Sequence, residues 1–173
     1  MFLSPVQIIE SLALRKGDVV ADLGCGSGAY VFAASKIVGD RGKIYAVDIH
    51  REILEKINHE AEKMNIINID TLLSNIENKV QIESLSCDVV IVSNVLGDIE
   101  NYNNLLNEIK RILKPDGFLL VVDWKKIDHA IYTKRVNVIP EEKITAILAT
   151  HNFYIKKHYP AGEYHYAFLV AQK

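Results

Sequence analysis

Two hydrophobic periods take turns along this chain, and each switch between them marks an element. Ser4-Pro5 pairs an N-cap residue with proline at the first helical position, which predicts a short helix through about Leu12. Lys16-Gly17-Asp18 turns the chain into Val19 to Leu23, which reads as a buried strand. Tyr30 to Val38 reads as the following helix, ended by Gly39 to Gly42, with a second strand over Lys43 to Val47. Ile53, Leu54, Ile57, Ala61 and Met64 recur at helical spacing and predict a long amphipathic helix from about Arg51. Ile67 to Leu73 alternates weakly as a third strand. Cys87 to Val92 is a near-continuous apolar run, the pattern of a strand covered on both faces.

The second half continues the alternation and then breaks it. Tyr102, Leu105, Leu106, Ile109 and Leu113 mark one face of a helix, stopped by the turn chemistry of Lys114-Pro115-Asp116-Gly117. Phe118 to Trp124 is the fifth strand, and Ile144, Ile147 and Leu148 lie on a helix capped by Asn152. Phe153 to Tyr159 and Tyr164 to Ala171 are consecutive strands joined by Pro160 to Glu163. A hairpin at the end of an alternating α/β chain makes the last strand antiparallel.

The loop after the first strand carries the candidate chemistry. Val-Val-Ala-Asp-Leu-Gly-Cys-Gly-Ser-Gly at 19 to 28 places Asp22 two residues before Gly24, Gly26 and Gly28. Glycines there permit a sharp turn and a close backbone approach to a ligand. Asp48 ends the second strand, where a carboxylate can accept from both hydroxyls of a ribose. A nucleoside cofactor across the carboxyl ends of a parallel sheet satisfies both features, and Gly24, Gly26 and Ala29 also fit the dinucleotide fingerprint. Asp22 separates the two cofactor classes. A pyrophosphate gains nothing from a carboxylate beside it, whereas S-adenosylmethionine (SAM) carries an ammonium and a sulfonium. A nicotinamide oxidoreductase would also need the Tyr-x-x-x-Lys signature, and His158 stands where that lysine would follow Tyr154.

Asp-Leu-Gly-Cys-Gly-Ser-Gly at 22 to 28, with Val-Asp at 47 to 48, closely resembles the cofactor loop of class I SAM-dependent methyltransferases. Lys-Pro-Asp-Gly-Phe-Leu-Leu-Val-Val-Asp at 114 to 123 is similar to the strand-five region of the ubiquinone/menaquinone-biosynthesis type, and the resemblance covers nearly the whole chain. With the alternation and the final hairpin, it implies a doubly wound, Rossmann-like α/β sheet of seven strands. The implied order is 3-2-1-4-5-7-6, strand 7 antiparallel, in a single domain over 1–173 with a short N-terminal helix. It implies SAM as cofactor and S-adenosyl-L-homocysteine (SAH) as product. The implied cofactor residues are Asp22, Gly24, Gly26, Gly28, Tyr30, Asp48 and Ile49, then Asn75 and Ile76 beside adenine, and Ser93 and Asn94 at the mouth of strand four. In such proteins a histidine and an acid often follow strand four; here Gly97 and Asp98 stand there.

Composition narrows the partners. The 173 residues are 24% charged and 49% hydrophobic with a net charge of −2, which gives no electrostatic footprint for nucleic acid. Cys25 and Cys87 do not suggest a disulfide framework. With no eighteen-residue apolar run, no signal peptide and no metal-ligand spacing, a cytoplasmic protein away from membranes is expected. Asp123, ending a central strand beside the cleft, is the leading candidate for a general base, with His129, His158 and His165 behind it; His165 is expected to face a helix or solvent. Trp124, Lys125, Lys126, Lys134 and Arg135 suggest a small polar or anionic acceptor. The chain has little extra structure to enclose that acceptor. Either the acceptor is large, or a second copy in a homodimer completes the cleft. A SAM-binding protein without catalysis is the alternative function.

Overall fold

A computed structural model describes residues 4–125 and 137–173. Helix α1 (Pro5–Glu10) opens on a capping box: the Ser4 hydroxyl accepts from Gln7 N–H, and the Gln7 side chain accepts from Ser4 N–H at 2.9 Å. The chain then alternates through β1 (Val19–Leu23), α2 (Ala29–Val38), β2 (Lys43–Asp48), α3 (Arg51–Lys63) and β3 (Ile69–Leu73). β4 (Cys87–Ser93), α4 (Tyr102–Ile112), β5 (Leu113–Trp124) and α5 (Glu141–Thr150) follow, and β6 (Phe153–Tyr159) and β7 (His165–Gln172) close the sheet.

The strand order is β3-β2-β1-β4-β5-β7-β6, as the sequence predicts. β1 to β5 pair in parallel, and β7 runs antiparallel to both β5 and β6. Alternate residues of the central strands point to opposite faces and fill two cores. Val20, Ile44 and Ile91 meet Val31, Leu54 and Ile57 from α2 and α3. Ala21, Val90 and Val92 meet Leu105, Ile109 and Leu148 from α4 and α5. Each fully buried Leu, Ile or Val side chain contributes about 1.5–3 kcal/mol.

Three boundaries differ from the sequence pattern. Helix α4 stops at Ile112, and Leu113 already pairs with Cys87. Lys114 to Gly117 is therefore a bulged start to β5 and not a separate turn, because Phe118 next pairs with Val89. The bulge is fixed by Lys114 Nζ on Asp88 Oδ1 at 2.6 Å, while Asp88 Oδ2 accepts from Val19 N–H at 2.8 Å. β3 begins at Ile69 because Ile67 is 76% exposed and Asn68 is buried, donating to Ser35 and Gly39 carbonyls at the end of α2.

The chain leaves β1 toward β2 on one side, and β4 flanks β1 on the other. That reversal of strand order opens a crevice above the carboxyl ends of β1, β2 and β4, where α/β sheets bind ligands.

Candidate active site

A cavity of about 690 Å³ occupies the crevice. Its floor is the loop after β1. Gly24 N–H and Cys25 N–H both donate to the Val47 carbonyl, at 2.8 and 3.0 Å, which ties the loop to β2. Gly24 has φ +81°, and a Cβ there would lie 2.5 Å from Val95 Cγ1, so only glycine lets Val95 close over the turn. Gly26 lines the cavity, and a Cβ on it would meet nothing within 4 Å; its backbone is open to a ligand.

Asp22, the last residue but one of β1, is 1% exposed and lines the cavity. Neither of its carboxylate oxygens has a hydrogen-bond partner among the described residues. Burial, and then the charge of Asp48, pushes its acid up to about 7. A buried, unpartnered carboxylate facing a cavity is a site prepared for a cation, since otherwise its desolvation goes uncompensated. The same carboxylate opposes a pyrophosphate.

Asp48 is differently held. Its Oδ2 accepts from Gly26 N–H at 3.1 Å, and its Oδ1 accepts from His50 N–H at 3.0 Å, with the His50 ring also 3.0 Å away. These contacts fix the carboxylate at the cavity wall and leave Oδ2 a lone pair for a ribose hydroxyl. Ile49, Asn75 and Ile76 line the wall beside it. Asn75 forms an Asx turn, its Oδ1 accepting from Glu77 N–H at 2.8 Å. Tyr30, on α2, lines the cavity with Ser93 at the end of β4, and burial pushes its phenol up to about 12. Asn94 follows with φ +56° and turns the chain so that Val95 meets Gly24.

The structure thus brings Asp22, Gly24, Gly26, Tyr30, Asp48, Ile49, Asn75, Ile76, Ser93 and Asn94 to one cavity. It does not bring Gly28 or Asp123 there. Gly28 has φ +76° at the start of α2, and a Cβ there would crowd Phe32 and Ile57 at 3.0 and 3.2 Å; it serves the packing of α2 on α3. Asp123 is 2% exposed and lines no part of the cavity. Its Oδ2 accepts from Leu96 N–H at 2.9 Å and its Oδ1 from Trp124 N–H at 2.7 Å. Both bonds give this carboxylate a structural task, holding the turn after β4, beside the general-base role expected for it.

His165 is the opposite correction. It lines the cavity instead of facing a helix or solvent, with its ring stacked on Trp124 at 4.0 Å between centroids. Periodicity also missed Pro5 and Ile8 of α1, Val95, Ile99 and Ala161, which form cavity wall. Of the basic stretch, Lys125 lines a neighbouring cavity, while His129, Lys126, Lys134 and Arg135 lie outside the described residues. Among the described residues no cluster of His, Cys, Asp and Glu suits a metal ion, and no helix is long and apolar enough to cross a membrane.

Comparison with known proteins agrees with this geometry. Residues 14–159 match the model of a family described as a methyltransferase domain. The ubiquinone/menaquinone biosynthesis C-methyltransferase UbiE of Pseudoalteromonas translucida is 31% identical over 129 residues, 74% of this chain and 51% of that one. Its counterpart from Hydrogenovibrio crunogenus is 30% identical over 139 residues, 77% and 54% of the two chains. The chain therefore spans about half the length of these curated relatives. A crystal structure of a SAM dependent methyltransferase from Aquifex aeolicus superposes with a TM-score of 0.87 at 26% identity, covering 96% of this chain and 88% of that one.

Proposed function

The chain belongs to the methyltransferase domain family, with SAM as its cofactor, and we propose that it methylates a small polar acceptor. The acceptor is held where β4 and β5 end and β7 begins. The observation that carries this reading is Asp22, a buried carboxylate with two unpartnered oxygens lining the cavity. It suits the cofactor's ammonium and nothing anionic. SAM supplies a methyl group on a sulfonium sulfur, already a good leaving group, so the protein's work is to bind, orient and exclude water.

Each wall residue then has a task. Asp22 receives the ammonium, and the bare backbone at Gly24 and Gly26 lets the methionyl part lie close. Asp48 clamps the ribose hydroxyls, already oriented by Gly26 and His50 N–H groups. Ile49 and Ile76 sandwich the adenine, and Asn75 keeps its amide N–H₂ for the ring because its oxygen serves the Asx turn. Tyr30 and Ser93 floor the path from the methionyl part to the acceptor. Asn94 and the Val95 side chain border the reacting end.

The acceptor must tolerate an acidic surround. Glu77, Asp98 and Glu100 join Asp22 and Asp48 in the lining, and no lysine or arginine lines it among the described residues. A neutral or amine-bearing polar molecule fits this better than an anion, a change from the anionic option that the basic stretch suggested. Titration calorimetry with SAM, SAH and NAD tests the reading, with labelled SAM and a panel of phenols, amines and β-dicarbonyl compounds as the second step. SAM and SAH binding without NAD binding is expected. Binding of NAD in preference to SAM would overturn it.

A further inference from the structure

The reading above gives the cofactor end of the cavity its residues but names none at the acceptor end to take up a proton. We propose that His165 is the general base of the methyl transfer, a role that rests on the SAM reading above. His50 also lines the cavity, but it stands at the opposite end with its ring against Asp48 at 3.0 Å. Asp98 and Glu100 lie exposed on the rim, where a carboxylate is too weak a base for most acceptors at neutral pH. An imidazole ordinarily titrates near 6.5, close to the pH at which such a base works best.

His165 is also held as a base must be. It opens β7 and pairs in register with Trp124 of β5, so its backbone belongs to the sheet and not to a loop. Its ring stacks on the indole at 4.0 Å with the planes tilted by 39°, which fixes its direction. Lys125 N–H donates to the Tyr164 carbonyl at 2.8 Å and ties down the residue before it. Precise placement of this kind is what proton transfer in a near-attack geometry demands.

His165 also lines a second, polar cavity of about 330 Å³. Lys125, Glu141, His158 and Glu163 line that space, while Asp98 and Glu100 share the first cavity with His165. Ala161 and His165 line both spaces. In this proposal a proton taken up beside the cofactor leaves toward the polar cavity.

The step balances. The acceptor's bond to hydrogen breaks as its bond to the methyl carbon forms, and that proton goes to a ring nitrogen of His165. The carbon–sulfur electron pair stays with the departing thioether, so nothing is oxidised or reduced. His165 then gives the proton to water in the second cavity, and the imidazole is neutral again.

The first test needs no acceptor. Histidine ring resonances are followed by NMR through a pH titration of the whole chain with SAM and with SAH, His165 being assigned by its loss in His165→Gln. The two cofactors differ by one positive charge at the reacting sulfur, so His165 should titrate lower with SAM by about half a unit or more, and His158 should not move. Equal titration of His165 with both overturns the proposal. If calorimetry shows that neither cofactor binds, the SAM reading has failed and this role falls with it, whereas binding of both with equal titration of His165 overturns this role alone. The second test uses whichever panel compound the wild type methylates. His165→Gln should slow turnover by about 10²-fold or more while SAH affinity stays within about threefold, and added imidazole should restore part of the rate of His165→Ala. Unchanged turnover in His165→Gln also overturns it.

Discussion

Asp22 makes cofactor binding a proton-linked event. In the free protein its acid is raised to about 7, chiefly by burial and then by Asp48. Raised from an ordinary value of 3.8, the group holds a proton in the folded state that the unfolded chain releases. The sign follows directly: its contribution to stability falls as pH rises from about 4 to about 7 and is flat above. The side chain is buried, so solvent screening discounts little, and the full shift corresponds to about 4 kcal/mol as an order of magnitude. An ammonium against the carboxylate restores ionisation. SAM affinity should therefore climb with pH by up to about tenfold per unit below 7, and fall again above about 8 as the ligand's own amine deprotonates. Calorimetry at pH 6 in buffers of different ionisation enthalpy counts the protons. Close to one should be released per SAM bound in the wild type and close to none in Asp22→Asn. The variant should bind SAM about 10- to 100-fold more weakly at pH 7.5, from loss of a charge-assisted hydrogen bond of about 1.5–3 kcal/mol. Its free form should nonetheless gain stability over wild type at pH 8, with the gap closing toward pH 4. Wild-type binding that releases no proton at pH 6 would refute the reasoning.

Other substitutions separate cofactor contacts from scaffolding. Asp48→Ala should weaken SAM at least about tenfold by calorimetry, because two charge-assisted bonds to the ribose disappear together. Asp123→Asn leaves one acceptor where two backbone N–H groups need one each, so denaturant unfolding should show a loss of about 1–3 kcal/mol. Gly24→Ala combines φ +81° with a Cβ 2.5 Å from Val95, and should lower both thermal stability and SAM affinity, the strain alone being about 1–3 kcal/mol.

What the sequence revealed, and what it hid, follows from the range of the forces involved. The sequence of elements was legible because period-2 and helical spacing report which face each residue buries, and the closing hairpin reverses the last strand; the strand order itself came from the family resemblance. The cofactor loop was legible for a similar reason, since Asp22, the glycines and Asp48 lie within a single βαβ unit whose geometry spacing fixes. The acceptor end is built differently. Val95, Ile8 and the hairpin residues Ala161 and His165 come from three distant segments that only the folded sheet brings together. The bonding of Asp123 was hidden because position along a strand says which end of the sheet a residue reaches, but not which way its carboxylate turns. Two backbone donors, Leu96 N–H and Trp124 N–H, decide that direction, and a donor 27 residues away leaves no periodic trace. A carboxylate with backbone partners is architecture, and one without any, like Asp22, is a place for a ligand.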